Sequence, residues 1–337
     1  MNHSARGNRL LLGVLTVLIA AWGFLGWFDL PRQTWAGYVT DGDHTITRIQ
    51  PDSPAERAGL MPGDVILRIA QIPVEDAARL ARLPPARAGE RRLFGIDRSG
   101  ESLDLALTYE PLGDRVLSLA HGATIVGFCF LLFPLTAYFR RQSEASRVLT
   151  VMGMGLSLAF IAGPSVVDFG SRAVITAITT LFVLVGLAAM LQFLLVFPTM
   201  SRWIQRPMGK KLLYLPVLVV WLFLAWRILF TPPASSALNT LTTVATSTIV
   251  AAYLLLSLAV AVRHWRRSGT AERSSLSLGV MALGSVVGLG PAVLVQVVTA
   301  VAPHIVLPGQ EYYTLAMVLI PLTWSRSAAM IRGLHHD

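Results

Sequence analysis

Histidine, serine and acidic residues could build a hydrolytic site, and their spacing in this chain argues against a zinc site. A membrane zinc hydrolase needs His-Glu-x-x-His, which places two imidazoles and a glutamate on one helix face. None of the seven histidines has that setting: His3, His44, His121, His264, His304, His335 and His336. Ser157, in Gly155-Leu156-Ser157-Leu158, could in principle use His121 as its base. The second glycine of the usual Gly-x-Ser-Gly pattern is missing, which weakens this interpretation.

Four polar residues lie inside strongly apolar stretches, namely His121, Gln192, Gln296 and Arg227. Polar side chains are costly in hydrocarbon, so these four form a candidate intramembrane site facing a cavity or a neighbouring helix. The alternative is that each makes a hydrogen bond between helices, or that Arg227 snorkels to the membrane surface. No metal site, catalytic group or cofactor motif is predicted.

Apolar stretches dominate the chain and must position these residues. Hydrophobic residues make up 54% of the 337 residues and charged residues 14%, whereas soluble proteins have about 25% charged residues. A helix that crosses the ~30 Å hydrocarbon core needs about 20 apolar residues. Suitable stretches are 10–28, 116–139, 148–167, 173–201, two within 212–262, one within 274–310, and the short 312–325. We therefore predict an α-helical polytopic membrane bundle of about eight transmembrane helices.

The basic residues are divided unequally between the two sides of this predicted bundle. Cytoplasmic loops collect Lys and Arg, so the richer side indicates that both termini are cytoplasmic in a bacterial inner membrane. The opposite short loops hold only Arg172 and Arg227. The richer side holds Arg6, Arg9, Arg140, Arg141, Arg147, Arg202, Arg206, Lys210, Lys211, Arg263, Arg266, Arg267, Arg273, Arg326 and Arg332. Because these residues lie in separate loops, the net charge of +9 indicates contact with membrane lipids and no nucleic-acid partner.

Between the first and second apolar stretches lies a soluble insert, which the same topology places in the periplasm or outside the cell. Ser53 suits the N-cap of a short helix, Glu56 completes a capping box, and Gly59 supplies a left-handed end. The predicted elements are a strand at 45–49, a helix at 51–60, a turn at 61–64, a strand at 65–69, a helix at 75–83, and strands at 91–97 and 102–109. The insert is therefore predicted to be one small α+β domain.

The run Pro51-Asp52-Ser53-Pro54-Ala55-Glu56-Arg57-Ala58-Gly59-Leu60-Met61-Pro62-Gly63-Asp64-Val65-Ile66 resembles bacterial PDZ domains, such as those of envelope serine proteases and site-2 proteases. The resemblance covers about residues 35–110. One departure is Ala70-Gln71, where that family usually has an Asn-Gly turn, so the resemblance does not fix the geometry of this hairpin.

PDZ domains bind an extended peptide by strand addition. The resemblance implies that Gly37, Tyr38 and Val39 form the carboxylate loop and groove strand. It also implies that Ala77, Leu80 and Ala81 line the facing wall, outside the domain core. The expected partner is a peptide or a protein C-terminus. The alternative is a spacer domain whose groove is blocked by its own chain or by the bundle.

Three short patterns in the bundle resemble the membrane input region of bacterial sensor histidine kinases, including the quorum-sensing competence kinases. They are Gln192-Phe193-Leu194-Leu195-Val196-Phe197-Pro198, Glu272-Arg273 and Leu319-Ile320-Pro321-Leu322-Thr323. Those kinases also carry a PDZ-like domain after the first span, but continue into a dimerisation helix and an ATP-binding domain. This sequence reaches Asp337 without them, so either the kinase part lies outside this sequence or the protein is a stand-alone relative that signals through a separate partner. The resemblance implies a histidine kinase or another cytoplasmic signalling partner.

The chain is thus predicted to have four parts. Residues 1–30 form a cytoplasmic N-terminus and the first transmembrane helix, 35–110 the PDZ-like domain, 115–332 a seven-helix bundle, and 333–337 a cytoplasmic tail. The leading hypothesis is a non-enzymatic membrane sensor or receptor of signal transduction. The alternative is a PDZ scaffold or adaptor for envelope proteins or proteases, and an intramembrane peptidase ranks third.

Overall fold

The computed structural model describes residues 3–40, 43–198, 200–230, 236–267, 269, 277–301, 307 and 309–330. Its helices are α1 (His3–Asp29), α2 (Pro54–Arg57), α3 (Ala77–Ala81), α4 (Asp114–Arg140), α5 (Glu144–Phe160), α6 (Phe169–Val196), α7 (Arg202–Gln205), α8 (Pro207–Phe230), α9 (Ser236–Arg267), α10 (Leu278–Val301), α11 (Gln310–Ala316) and α12 (Leu319–Ala329). A 3₁₀ turn at Leu30–Arg32 follows α1.

The strands all belong to the insert between α1 and α4. They are β1 (Thr34–Trp35), β2 (Tyr38–Thr40), β3 (Ile46–Ile49), β4 (Val65–Ile69), β5 (Ile72–Pro73), β6 (Arg91–Arg98), β7 (Glu101–Thr108) and β8 (Glu110–Pro111). Strands β5, β4, β6 and β7 form an antiparallel sheet in that order, and β2 pairs with β3. Strand β1 pairs with β8, which brings the two ends of the insert together above the membrane helices.

Six helices in the described part of the chain are long and apolar enough to cross a membrane, so the protein is a multi-pass membrane protein. The six candidate spans are Arg9–Arg32, Asp114–Arg140, Phe169–Val196, Met208–Phe230, Val244–Arg267 and Leu278–Val295. The predicted count of eight is wrong at the stretches 148–167 and 312–325. In the first, α5 ends after 17 residues. In the second, the helix is divided into α11 and α12.

Proline explains both interruptions. Gly163 precedes Pro164, and the residue before a proline is pushed out of the helical region, so the chain after α5 has no regular structure up to α6. Near the end of the chain, Pro321 lacks the N–H that would bond to the carbonyl of Met317. That carbonyl instead accepts from the N–H of Ile320 at 3.1 Å, in a tighter turn.

Helix α5 packs between α4 and α6 in the centre of the bundle. Ser143 caps it by accepting from the N–H of Ser146 at 3.0 Å. Small residues bring its backbone close to its neighbours, because a Cβ at Gly155 would lie 2.6 Å from Cα of Gly186 in α6. Close glycine contacts of this kind favour helix packing in lipid, where no hydrophobic force drives helices together.

The insert has its own core around Phe94, Ile96 and Leu107, which are fully buried. Helix α2 begins at Ser53, whose hydroxyl accepts from the N–H of Glu56 at 3.2 Å, and Glu56 accepts in turn from the N–H of Asp52 at 2.7 Å. The predicted cap is confirmed, although the glutamate bonds one residue before the N-cap.

Two turns of the insert use left-handed backbone. Gly59, predicted to end α2, has φ +81°. Ala70 and Gln71 join β4 to β5 with φ +50° and +67°. Two consecutive positive φ values are typical of the type I′ hairpin turn that Asn-Gly usually makes. The departure at this site is therefore one of residue type, and the hairpin geometry is retained.

Asp64 links the turn after α2 to β6. Its carboxylate accepts from Nε and Nη2 of Arg98 at 2.7 and 2.8 Å, and from the N–H of Met61 at 2.8 Å. These hydrogen bonds, with that of Arg98 foremost, lower the pKa of Asp64 below its usual value. A lowered folded-state pKa stabilises the domain above the unfolded pKa of about 4, and this stability is lost as pH falls through the folded pKa.

Asp64→Asn is therefore expected to cost the insert about 2 kcal/mol at pH 7, because a buried charge-assisted network is broken. The same change should flatten the loss of stability below about pH 4. Hydrogen exchange of the insert within the full-length protein measures both effects. Asp104→Asn is the control, because its pair with Arg68 has side chains 53% and 41% exposed and should contribute below about 1 kcal/mol. Equal effects of the two substitutions would contradict the role given to Asp64.

Candidate functional site: the PDZ groove and its junction with the bundle

Strand β2 is the element that the sequence predicts to bind a peptide. In the described part of the chain it pairs with β3 alone, so its other edge is open. The N–H of Gln50 donates to the carbonyl of Gly37 at 2.8 Å, so Gly37 and Val39 direct their main-chain groups toward β3. Main-chain direction alternates along a strand. The N–H and carbonyl of Tyr38 therefore face the open edge, where a peptide strand could pair.

The loop that enters β2 is held against the start of α2. The N–H of Ala55 donates to the carbonyl of Ala36 at 2.8 Å. Gly37 has φ +83°, and a Cβ there would lie 2.2 Å from Cβ of Ser53. Only glycine combines a positive φ with the absence of a Cβ that would overlap Ser53. The predicted carboxylate loop therefore has a fixed shape.

The wall predicted to face β2 is α3, which is shorter than the predicted 75–83. It begins at Asp76, whose side chain accepts from the N–H of Arg79 at 3.0 Å. Ala77 and Ala81 are half-buried and lie outside the insert's core cluster. Leu80 packs against that cluster, as does Tyr38. Leu80 is thus half-buried at the edge of the core, because α3 must cover its one large apolar side chain on so small a domain.

The floor between these elements is aromatic and apolar. The ring of Tyr38 meets Phe94 edge-on, with ring centroids 5.9 Å apart. Burial raises the pKa of Tyr38 above its ordinary value, so the phenol stays neutral. Val39 points the opposite way and is 42% exposed. The structure thus places Tyr38 and Leu80 against one apolar cluster.

The bundle contacts α3 directly. Arg172, in the first turn of α6, donates from Nη2 to the carbonyl of Ala81 and, at 3.4 Å, to the carbonyl of Leu83. Carbonyls at a helix end lack partners within the helix, so a guanidinium there is a favourable partner. The helix predicted to form the groove wall is therefore also attached to a membrane helix.

Two further contacts join the base of the insert to the connection between α5 and α6. The carboxylate of Asp29 accepts from the N–H of Ser165 at 2.6 Å and also from its hydroxyl. Gln33 donates from Nε2 to the carbonyl of Gly163 at 3.2 Å. Together with Arg172, these contacts fix the insert to the bundle along one side.

Two of the intramembrane polar residues make specific contacts between helices. Gln192 is buried in α6 and accepts from the hydroxyl of Tyr214 in α8 at 2.6 Å. His121 in α4 packs against Trp27 of α1, with ring centroids 4.2 Å apart and ring planes tilted by 43°. Its Nε2 is buried and has no hydrogen-bond partner among the described residues.

The other two polar residues lie elsewhere. Arg227 in α8 donates to the hydroxyl of Thr242 in α9, and the side chain of Gln296 lies outside the described residues. The three residues whose side chains are described, His121, Gln192 and Arg227, therefore contact different helix pairs. In place of one shared site, the structure shows separate interhelical contacts for Gln192 and Arg227.

Ser157 and His121, considered as a nucleophile and base, are placed apart. The Ser157 hydroxyl donates to the carbonyl of Met154 at 2.8 Å. A Cβ at Gly127 would lie 2.9 Å from the carbonyl oxygen of Ser157. Gly127 is six residues beyond His121 on α4, a rise of about 9 Å. Among the described residues, no group of three or more His, Cys, Asp or Glu could hold a metal ion.

Sequence patterns did not identify the junction residues Asp29, Gln33, Ser165 and Arg172. The one signal in the sequence was the position of Arg172, which is one of two basic residues in the short loops predicted to lie outside the cytoplasm. A charge retained on the poorer side of a membrane protein indicates a specific partner. The identity of that partner requires the fold, since Ala81 lies 91 residues away.

The comparisons with known proteins concern the insert. Residues 45–98 match the family model described as PDZ domain. A segment of 80 residues is 32% identical to a protein provisionally named a zinc metalloprotease in Brucella suis, and equally to one in Brucella melitensis. A segment of 75 residues is 39% identical to a protein provisionally named the serine protease HhoA in Synechocystis.

These matches cover a small part of each protein. They span 22% of this chain, 21% of each Brucella protein and 16% of the Synechocystis protein. No solved structure matches the chain significantly. The chain is therefore a multi-span membrane protein that contains a PDZ domain.

Proposed function

We propose that this protein is a non-enzymatic membrane sensor, in which a peptide or protein C-terminus binds between β2 and α3 and the bundle relays binding to a cytoplasmic partner. One observation carries the proposal: the end of α3, the helix proposed to line the groove through Ala77 and Ala81, is attached to α6 through Arg172. A ligand that moves α3 therefore acts on a membrane helix.

Binding at the groove draws on features of the described insert. A PDZ domain implies peptide or protein binding, and main-chain pairing at an open strand edge supplies affinity in this mode. The apolar floor at Tyr38 and Leu80 suits an apolar ligand side chain. The fixed loop at Gly37 suits the ligand's carboxylate.

Peptide binding can affect the bundle through thermodynamic linkage between the groove and α6. A ligand shifts an equilibrium only by its different affinities for two states. If bound peptide pushes α3 away from β2, the carbonyls of Ala81 and Leu83 move relative to Arg172. The first turn of α6 then has two arrangements, and peptide binding in the groove shifts the equilibrium between them. A histidine kinase or another cytoplasmic signalling protein is the proposed recipient.

Peptide binding by the full-length protein in nanodiscs tests this function. Ala77→Trp should reduce the affinity for a selected peptide at least about tenfold, because the indole blocks the groove. Ala78→Trp is the matched control, one position along α3 and similarly half-buried. Leu80 is unsuitable for this test because its substitution would also disturb the core. Equal binding by wild type and Ala77→Trp would show that the groove is unused.

The proposed orientation places the PDZ domain outside the inner membrane, with both termini in the cytoplasm. In a Cys129→Ser background, which removes the one native cysteine, an impermeant maleimide should label intact spheroplasts at Ser102→Cys. It should not label them at Gln205→Cys until the membrane is opened. Both positions are exposed. The opposite labelling pattern would reverse the proposed orientation.

An adaptor function is the second candidate, favoured by the similarity of the PDZ segment to segments of proteins named as proteases. An adaptor would bind peptides at the same groove and deliver them to a separate enzyme. It requires no response of α6 to peptide. The two functions therefore differ in whether peptide binding changes the arrangement of the bundle.

A further inference from the structure

A cavity of about 620 Å³ lies where the PDZ domain meets the outer end of the bundle. Its walls come from the end of α1 and the 3₁₀ turn after it, residues 85–88 of the insert, the connection between α5 and α6, and the first turns of α6. This volume falls within the range of about 300–1,000 Å³ that ligand pockets occupy.

The end of the cavity nearest the PDZ domain is basic. Three arginines line it: Arg32, Arg87 and Arg172. The side chains of Arg32 and Arg87 make no ion pair with any described residue, and both hydrogen bonds of Arg172 come from Nη2. Among the described residues, Asp29 is the one carboxylate in the lining, and Ser165 already donates to it twice.

The other end of the cavity is apolar. Trp22, Leu158, Ile161 and Ile175 line it, on α1, the end of α5, and α6. These side chains belong to the membrane helices, and Trp22 lies within the candidate span Arg9–Arg32. One cavity therefore joins an apolar compartment to three guanidinium groups.

The level of the cavity matches that of lipid headgroups. Arg32 is the last residue of one candidate span, and Arg172 is three residues into another that begins at Phe169. Both arginines thus stand where hydrocarbon gives way to headgroups, whereas Trp22 lies ten residues before Arg32, about 15 Å deeper along α1. A ligand reaching both zones must have an anionic head and a hydrocarbon tail.

We propose that this cavity is a binding site for an anionic phospholipid, whose phosphate lies among Arg32, Arg87 and Arg172 and whose acyl chain follows Trp22, Ile161 and Ile175. A soluble anion would leave the apolar wall unused. A zwitterionic lipid would bring its own cation toward three arginines. Bound here, the lipid touches both the insert and the bundle, and it shares Arg172 with the contact that holds α3.

Native mass spectrometry of the full-length protein, with phosphatidylglycerol and phosphatidylcholine as probes, tests the site. Wild type should retain phosphatidylglycerol about tenfold or more over phosphatidylcholine, because each basic residue near the headgroup adds attraction. Arg32→Gln with Arg87→Gln should remove that preference. Arg48→Gln with Arg91→Gln should keep it, because neither residue lines the cavity. Arg172 is left intact because it also holds α3.

A filling variant separates this cavity from general attraction to anionic lipid. Thr179→Trp adds bulk to the apolar wall without changing charge, and it should also lose retained phosphatidylglycerol. Equal retention of both lipids by wild type, or full preference in the Arg32→Gln and Arg87→Gln variant, would overturn the proposal. So would sn-glycerol 3-phosphate displacing the lipid completely, because that result makes the tail irrelevant. Peptide binding is measured separately, so failure here leaves the groove proposal standing.

Discussion

Gly37→Val is expected to leave the protein in the membrane with an unfolded PDZ domain. Gly37 has φ +83°, a region that β-branched residues avoid. Its added Cβ would also lie 2.2 Å from Cβ of Ser53, and Ser53 is fixed as the N-cap of α2. Backbone strain and overpacking each cost about 1–3 kcal/mol, which together approach the ~5 kcal/mol stability of a small domain.

Gly100→Val is the matched control for this effect. Gly100 has φ +89° but no atom within 4 Å of its Cβ position, so the substitution adds backbone strain without a clash. Hydrogen exchange over residues 34–111 should show full loss of protection for Gly37→Val and partial loss for Gly100→Val. Normal protection in Gly37→Val would contradict the packing of the β2 loop against α2.

Gly155→Leu is expected to prevent assembly of the bundle. A Cβ at position 155 would lie 2.3 Å from the carbonyl oxygen of Phe182 and 2.6 Å from Cα of Gly186. Both atoms belong to the backbone of α6, so no side-chain rotation relieves the overlap. The helices must separate along the centre of the bundle, at a cost above the roughly 1–3 kcal/mol of ordinary overpacking.

Gly279→Leu provides the comparison, because Gly279 is an exposed position of α10 with no atom near its Cβ position. Thermal unfolding in detergent, followed by size-exclusion chromatography, should show little folded Gly155→Leu protein and a normal transition for Gly279→Leu. A wild-type transition for Gly155→Leu would mean that α5 and α6 are not packed through Gly155 and Gly186.

Much of the PDZ domain could be predicted because its signals are local. Ser53 and Gly59 mark the two ends of one short helix through interactions within a few residues. The hairpin at Ala70-Gln71 was harder, because neither residue favours the left-handed region that both adopt. There the pairing of β4 with β5 and β6 overrides the preference of the residues.

The bundle was predicted less completely because hydropathy measures composition along the chain and not helix continuity. Hydropathy located the six long helices. It also predicted two further transmembrane helices where Pro164 and Pro321 interrupt apolar sequence. It also gave no information on which helices pair. The hydrogen bond between Tyr214 and Gln192, and the contact of Arg172 with α3, depend on that pairing.

Peptide bound between β2 and α3 should change the arrangement of α6. Hydrogen exchange on the full-length protein in nanodiscs, with and without a peptide selected on that protein, tests it most directly. We expect slower exchange in Tyr38–Thr40 and altered exchange at the end of α3 and in the first turns of α6. In Arg172→Gln, the change in β2 should persist while the change in α6 disappears. If peptide protects β2 in the wild type but leaves exchange in α6 unchanged, the proposed relay from the groove to α6 is contradicted.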